Sequence, residues 1–301
     1  MSQALTPRAL RSEERSLRER YGHGPQMLHE RLVDASEGRP RHFVLEPVEQ
    51  PDGTVLYLHG GGWVMGEPED YLAVCRSLAK ASGWRVIVAD YAKAPERPFP
   101  IGFDECLALA VSLLGAQGEN SGEESAHQKF VLAGDSAGGN LVAAIAARLS
   151  VAAPGSIAAQ ILITPVLDSD FDRPSYLDPE RQLSLTRDHM RWFFDQYVPS
   201  DEDRADPRVS PVRAESFAGL PQTFVVSAGS DVLKSEIEEY LAKLDEAGIP
   251  VRHLELPGQM HGFFQLHNVM AASAHAVDWI AAALHTLEAP SEGQDTKGTS
   301  R

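Results

Sequence analysis

Residues 130–140 read FVLAGDSAGGN, and this stretch decides the fold. The apolar run at 130–133 predicts a buried strand, and apolar positions recur after it at the spacing of a helix: Leu141, Ala144, Ile145 and Leu149. Between strand and helix, Ser136 stands in the pattern G-x-S-x-G, flanked by Gly134 and Gly138. Glycines lack the Cβ atoms that would collide where a strand turns sharply into a helix. The pattern therefore predicts a nucleophile elbow, a strained turn that presents the Ser136 hydroxyl outward.

A second glycine-rich segment, HGGGW at 59–63, directly follows an apolar run at 54–58. Consecutive glycines let bare backbone N–H groups approach a ligand closely. In acyl transfer such donors stabilise the developing oxyanion, each commonly by about 3 to 4 kcal/mol. We predict that Gly61, Gly62 and Ala137 supply these N–H groups. The alternative is a flexible turn without a ligand, which the position of the segment ahead of the elbow disfavours.

A serine hydroxyl is almost fully protonated near neutral pH, so it needs a base, and the base needs an acid to orient it. After a nucleophile elbow the acid and then the histidine follow the serine along the chain, each on a loop after a strand. The apolar run at 223–228 leads into Asp231, and the run at 251–256 leads into His261. These positions predict a triad of Ser136, Asp231 and His261.

Other acids and histidines fit structural roles better. Asp135 adjoins Ser136 but points the wrong way round the turn to orient a histidine, and Glu236 lies on the helix after Asp231. A histidine within a strand or on an amphipathic helix is usually structural or solvated. We assign His253 to a strand, His267, His275 and His285 to a terminal helix, and His59 to shaping its own loop.

The two glycine motifs together resemble the hormone-sensitive-lipase-like branch of the α/β-hydrolases, which includes many bacterial esterases. The segment DYAKAPERPFP at 90–100 is similar to DYRLAPEHPFP of that branch, and ITPVLD at 163–168 is similar to its apolar-x-Pro-x-x-Asp stretch. The resemblance covers about residues 40–288. It implies an α/β-hydrolase fold: a mostly parallel central sheet of seven or eight strands, flanked by helices and covered by a helical cap.

The same resemblance implies a serine carboxylesterase that hydrolyses short- to medium-chain carboxylic esters through an acyl-serine intermediate. Two alternatives stay open at this point. The same triad also serves enzymes that act on an acetylated natural product, an amide or a lactone. A hydrolase-like receptor would keep the pocket but lose a member of the triad, and here all three positions are occupied.

The chain departs from the branch at two places. Where the branch usually reads DPLRDE, residues 231–236 read DVLKSE, so a proline, an arginine and an aspartate are lost. Ala92 and Lys93 replace the usual Arg-Leu. Because lysine lacks the planar fork of arginine, these changes put the local salt bridges in doubt and leave the triad untouched.

Apolar and helical segments alternate along the 301 residues, as expected for one α/β catalytic domain over 39–288. Only one convincing strand, at about 42–48, precedes the strand at 54–58, so the sheet has seven strands or a vestigial first one. The charged segment 1–38 predicts one or two helices, which the resemblance makes part of the cap. The loop at 115–129 and the tail at 289–301 are polar, and we expect the tail to be disordered.

The resemblance also implies a cap insertion at about 168–218, which is rich in aspartate and proline. A helix beginning near Thr186 carries an aromatic cluster of Trp192, Phe193, Phe194 and Tyr197. We assign Trp192, Phe193 and Tyr197, together with Trp63, to the substrate pocket. An aromatic helix face is equally typical of a packed core, and that alternative stays open.

The formal net charge of −16 argues against nucleic acid or an anionic membrane as a partner. Cys75 and Cys106 lie on apolar helix faces, which favours buried free thiols and a reducing, cytoplasmic location. No signal peptide, membrane span, metal motif or phosphate-binding glycine motif is visible, so we expect no metal and no cofactor. The expected partner is a small-molecule ester substrate, and the residues leave a homodimer through the sheet edge undecided.

Overall fold

The computed structural model of the protein describes residues 6–119 and 129–287. Its strands are β1 His29–Val33, β2 His42–Glu46, β3 Gly53–Leu58, β4 Arg85–Ala89, β5 Lys129–Asp135, β6 Ala159–Ile163, β7 Gln222–Ser230 and β8 Val251–Met260. Its α-helices are α1 Pro7–Tyr21, α2 Pro68–Ser82, α3 Ile101–Glu119, α4 Ala137–Ala152, α5 Pro174–Leu177, α6 Arg187–Tyr197, α7 Lys234–Glu246 and α8 Ala271–His285.

The eight strands form one sheet in the order β1-β2-β4-β3-β5-β6-β7-β8. β2 pairs antiparallel with both β1 and β4, and every other neighbouring pair is parallel. Parallel strands present their carboxyl ends at the same edge of the sheet. The segments that follow β3, β5, β7 and β8 therefore meet there, as the predicted α/β-hydrolase fold requires.

The prediction of an entirely helical segment at 1–38 is wrong at its end, because His29–Val33 forms β1 of the sheet. β1 pairs with β2 alone, and four of its five residues are exposed. An exposed edge strand needs no alternation of apolar and polar residues, so HERLV gave no strand signal. The sheet thus has eight strands, the larger of the two numbers expected.

Helices cover both faces of the sheet. On one face α3, α4 and α7 contribute Phe103, Leu141 and Ile237 to a shared apolar core, and on the other α2 and α8 contribute Leu78 and Ile280. Successive residues of β3 and β5 alternate between the two cores. This packing fixes the strand ends from which the candidate site is built.

The cap segments are tied to the sheet by hydrogen bonds. Arg11 of α1 donates to the carbonyl oxygens of Val64 (2.7 Å) and Ala94 (2.8 Å) and pairs with Glu96. The segment 168–218 carries α5, α6 and short 3-10 turns at 179–181, 203–205 and 211–213. Its far end returns to α4, where the Asn140 side chain donates to the carbonyl oxygen of Val209 (2.8 Å).

Several further expectations can be compared with the fold. Cys75 and Cys106 are buried free thiols, as predicted. α3 continues to Glu119 and β5 begins at Lys129, so both ends of the predicted loop at 115–129 belong to regular elements; residues 120–128 and the tail at 289–301 lie outside the described residues. His267 precedes α8 instead of lying on it. Among the helices of the described residues, none has the length and apolar character needed to cross a membrane.

Candidate active site

Ser136 lies in the turn between β5 and α4 with a φ of 52° and a ψ of −120°, a conformation that costs energy for a residue with a side chain. The neighbouring glycines make the turn possible. A Cβ on Gly138 would overlap the carbonyl oxygen of Leu58, and a Cβ on Gly134 would lie 2.6 Å from the Gly138 backbone. The sequence thus folds into the predicted elbow because only glycine fits at these two positions.

The structure brings the three predicted triad residues together from loops after three different strands. The Nε2 atom of His261 lies 2.9 Å from the Ser136 hydroxyl, and its Nδ1 atom lies 2.8 Å from Oδ2 of Asp231. The other carboxylate oxygen of Asp231 accepts a hydrogen bond from the N–H of Leu233 (3.0 Å). Asp231 is fully buried, so its carboxylate is held in one orientation.

The electrostatics of the pair favour a charged imidazole. Burial disfavours the imidazolium form of His261, but the adjacent Asp231 carboxylate outweighs burial and raises the pKa of His261 above its usual 6.5. A hydrogen bond from Nδ1–H to Asp231 leaves Nε2 as the acceptor that faces Ser136. The arrangement can therefore take a proton from the serine hydroxyl and hold the resulting positive charge.

The glycine segment after β3 passes beside Ser136. Gly61 and Gly62 have φ values of 110° and 57°, which suit glycine alone. Both line the cavity that contains Ser136, and within the described residues their N–H groups donate to no protein acceptor. Ala137 is the first residue of α4, where helical N–H groups have no acceptor in their own helix. The N–H groups of Gly61 and Gly62 are therefore unpaired within the described residues beside the cavity, and Ala137 lies next to Ser136 at the start of α4.

Asp135 fixes the glycine segment against the elbow. Its Oδ1 atom accepts hydrogen bonds from the Tyr57 hydroxyl (2.7 Å) and the N–H of Gly60 (2.9 Å). Burial raises the pKa of Asp135 to about 6. The residue thus joins β3, β5 and the glycine segment and is not placed to orient His261, in agreement with the structural role predicted for it.

Ser136 and His261 open into a cavity of about 430 Å³, and the cap supplies part of its wall. From α6, Trp192 and Phe193 line it, as predicted, and Phe193 packs so closely on Gly62 that a Cβ there would overlap its ring. α6 begins after Thr186, whose hydroxyl caps the helix by accepting from the N–H of His189. The cap therefore contacts the glycine segment directly.

Trp63 and Tyr197, which we also expected in the pocket, lie elsewhere. Their rings stack on each other with centroids 4.4 Å apart and planes 6° apart, and both residues are nearly inaccessible to solvent. Phe194 packs edge-on against Trp63. Tyr197 stands one helical turn beyond Phe193, does not line the cavity, and has its ring in the core. For these two residues the packed-core alternative is the correct one.

A family model described as "alpha/beta hydrolase fold" matches residues 55–265, which contain all the residues of the predicted triad and oxyanion site. The chain belongs to the alpha/beta hydrolase family. Within it, the chain falls in the hormone-sensitive-lipase-like branch, as its glycine motifs predicted.

Several proteins named as hydrolases or esterases resemble the chain over most of its length. Ethyl acetate hydrolase of Pseudomonas putida is 32% identical over 233 residues, which cover 76% of this chain and 72% of that protein. A hydrolase of Acanthamoeba polyphaga mimivirus is 30% identical over 73% of this chain, and the chain spans only 63% of that relative's length. The structure of EstE1, a thermophilic carboxylesterase from a metagenomic library, superimposes with a TM-score of 0.85 at 30% identity and covers 96% of this chain and 100% of that one.

The altered acid motif of this alpha/beta hydrolase keeps its local order through other partners. Glu236 is buried and accepts hydrogen bonds from the N–H of Leu167 (2.7 Å) and the Tyr176 hydroxyl (3.2 Å). Lys234, which replaces the usual arginine, pairs with Glu255 on β8. Glu236 thus anchors the segment after β6 and is structural, as predicted.

Sequence reasoning missed several residues that line the cavity of this alpha/beta hydrolase. His189 belongs to the cap, and Gln265 lies in the segment after His261. Leu10, Glu14 and Leu17 come from α1. Their spacing of four and three residues places them on one helix face, and this was the signal available in the sequence.

Proposed function

We propose that the protein is a serine carboxylesterase that hydrolyses short- to medium-chain carboxylic esters through an acyl-serine intermediate. The hydrogen-bonded chain from Ser136 through His261 to Asp231, open to a cavity beside two unpaired glycine N–H groups, carries this proposal. The similarity of the polypeptide to proteins named ethyl acetate hydrolase and carboxylesterase supports the same reaction class.

In the first half-reaction, the Ser136 oxygen attacks the ester carbonyl carbon while its proton passes to Nε2 of His261. The tetrahedral oxyanion accepts hydrogen bonds from the N–H groups of Gly61, Gly62 and Ala137. The C–O bond to the alcohol then breaks, and His261 returns the proton to the leaving oxygen. The product is an acyl ester on Ser136 and a free alcohol.

In the second half-reaction, His261 takes a proton from a water molecule as the water oxygen attacks the acyl carbon. The same N–H groups stabilise the second oxyanion. Collapse of that intermediate releases the carboxylic acid, and the proton held by His261 restores the Ser136 hydroxyl. Asp231 stays ionised throughout and stabilises the imidazolium in both steps.

The size and character of the cavity support the proposed chain length. A cavity of about 430 Å³, lined in part by Leu185, Met190, Trp192 and Phe193, suits a compact ester with an apolar acyl or alcohol group. A series of aryl esters with increasing acyl length tests this point. We expect kcat/KM to peak at short or medium chains, and a preference for emulsified long-chain fats would contradict the proposed substrate range.

The decisive variant for the reaction is Ser136→Ala, with Ser150→Ala as its matched control. Ser150 lies near the end of α4, where its hydroxyl only donates to the carbonyl oxygen of Ala146. We expect Ser136→Ala to lose nearly all turnover while its circular dichroism spectrum matches that of the wild type, and Ser150→Ala to keep its activity. Substantial hydrolysis by a folded Ser136→Ala variant would exclude Ser136 as the nucleophile.

The cytoplasmic location and the homodimer are proposals of the same standing. The buried, unpaired thiols of Cys75 and Cys106 agree with a reducing compartment. The exposed β1 and β8 leave two sheet edges accessible to a second copy. Size-exclusion chromatography with light scattering tests the dimer, and a monomer at micromolar concentration would contradict it.

A further inference from the structure

The wall of the cavity on the side of α1 contains an unusual group, the carboxylate of Glu14. The residue is 91% buried, since only 9% of its surface is exposed, yet it lines the same cavity as Ser136 and His261. Acidic side chains are rarely buried to this degree without a paired cation. Among the described residues, none forms a salt bridge with Glu14.

The Glu14 carboxylate is held in place by two donors. The Tyr21 hydroxyl (3.1 Å) and the Gln265 side-chain N–H (2.6 Å) both donate to its Oε1 atom. No described residue donates to the other oxygen, Oε2, and this atom is not sealed from solvent. One oxygen of a rigidly held carboxylate therefore remains free for a ligand.

The basic side chains in the rest of the described lining are two histidines, His189 and His261. The lining includes the acidic residues Glu14 and Asp135 and neither lysine nor arginine among the described residues. The aromatic side chains of Trp192 and Phe193 also line the cavity. Aromatic faces and carboxylates both attract cations when water is excluded. Burial raises the pKa of Glu14 and the negative charges of Asp70 and Glu13 raise it further, whereas the hydrogen bonds from Gln265 and Tyr21 lower it.

We propose that Glu14 is a specificity-determining residue that selects esters carrying a cationic group, such as a protonated or quaternary amine, in the part of the substrate that reaches α1. The inference rests on the proposed esterase function and deepens it. Oε2 of Glu14 contacts the cation, while Tyr21 and Gln265 keep the carboxylate in position. A carboxylate-bearing substrate meets two acids in the cavity and is disfavoured.

An alternative role for Glu14 is purely structural. Gln265 follows His261 by four residues, so the bond from Gln265 to Glu14 also joins α1 to the segment that carries the catalytic base. A structural tether would affect charged and uncharged substrates alike. A specificity determinant changes the ratio between them, and the test therefore measures that ratio.

The experiment uses two pairs of esters whose members differ only in charge. Acetylcholine and neohexyl acetate differ in the alcohol group, and the para-nitrophenyl esters of ε-aminocaproic acid and heptanoic acid differ in the acyl group. We measure kcat/KM of the full-length wild type, Glu14→Gln and Glu13→Gln. Glutamine keeps an oxygen that accepts from Tyr21 and Gln265, and Glu13→Gln removes an equal charge from an exposed position on the same helix.

We expect Glu14→Gln to lower the cationic-to-neutral ratio of kcat/KM by about tenfold in at least one pair. The Glu13→Gln ratios should equal those of the wild type. An unchanged ratio in both pairs for Glu14→Gln, or an equal decrease for Glu13→Gln, would overturn the proposal. Failure of the wild type to hydrolyse either neutral ester would instead contradict the esterase function itself, so the two failures are distinguishable.

Discussion

The carboxyl-end edge of the sheet and the cap of this hydrolase are held in place by different interactions and determine different properties. At the edge, the elbow and the glycine segment are fixed by backbone geometry: Gly134, Gly138 and Gly62 stand where any Cβ would overlap another atom. In the cap, the residues over the cavity are held by side-chain packing and by bonds such as that between Glu14 and Gln265. The reaction chemistry thus belongs to the part of the molecule that backbone geometry defines, and the proposed choice of substrate belongs to the part that side-chain packing defines.

The prediction with the largest expected effect on kcat compares two buried acids, Asp231 of the triad and Glu236 on α7. Asp231→Asn should lower kcat by about ten-thousandfold, because the amide no longer holds His261 in the required tautomer. Glu236→Gln should keep kcat within about threefold, because burial raises the pKa of Glu236 well above its usual 4.5 and an amide resembles the protonated acid. Steady-state kinetics on one aryl ester measures both.

Circular dichroism should show that both acid variants are folded. Comparable losses of kcat in the two folded variants would show that the acid after β7 has no special role, and the division between triad and framework would fail.

A smaller effect is expected where the cap touches the sheet edge, at Gly62 and Phe193. Gly62→Ala should lower kcat by about a hundredfold, because the new methyl group pushes the glycine segment away from the oxyanion position. The double variant Gly62→Ala with Phe193→Ala should recover part of that loss, since the clashing ring is gone. Recovery would be incomplete because the φ of 57° still disfavours alanine.

We measure kcat on a small aryl acetate for Gly62→Ala, for the double variant and for Phe193→Ala alone, which serves as the reference. If Gly62→Ala keeps wild-type kcat, the cap does not control the position of the glycine segment and the two regions are independent.

The residues at the carboxyl-end edge of the sheet could be predicted from the sequence much better than the arrangement of the cap. Ser136, Asp231 and His261 follow apolar runs, and the pattern of glycines around them reflects contacts between residues near in sequence or between strand ends. β1 gave no signal because an exposed edge strand needs no apolar pattern. Whether Trp63 and Tyr197 line the cavity or pack in the core depends on which aromatic rings come into contact once the cap has folded. A local sequence pattern does not contain that information.

The pH dependence of activity separates the two regions, because we expect it to depend on the triad and not on the cap. His261 must be neutral to accept the Ser136 proton, and its pKa is raised above 6.5 by Asp231. The acidic limb of kcat/KM should therefore have its midpoint above pH 6.5, with activity rising as pH rises through it. His253→Gln should leave the limb unchanged, since burial lowers the pKa of His253 and its ring is hydrogen-bonded to Ser227 and not to a member of the triad.

A midpoint well below pH 6.5 in the wild type would contradict the proposed coupling of His261 to Asp231. The same coupling affects stability with a definite sign. A raised histidine pKa contributes stability below about pH 6.5 that is lost as the pH rises through the folded-state pKa.

The smallest effect concerns the rim of the cap. Glu96→Gln removes an ion pair with Arg11 whose glutamate is 60% exposed, and Arg11 keeps its bonds to the carbonyl oxygens of Val64 and Ala94. Exposed pairs contribute little, so the free energy of unfolding should fall by no more than about 1 kcal/mol, with kcat unchanged. Urea denaturation measures the loss, and a larger one would mean that this pair is a principal anchor of the cap.

The most direct test of the central claim is the covalent intermediate on Ser136. The protein is mixed with a para-nitrophenyl ester, quenched with acid during the first turnovers, digested and analysed by mass spectrometry. The account predicts an added acyl mass on the peptide that contains Ser136, formed together with a burst of para-nitrophenol. Rapid turnover with no acyl group on that peptide, or with the group on another side chain, would contradict it.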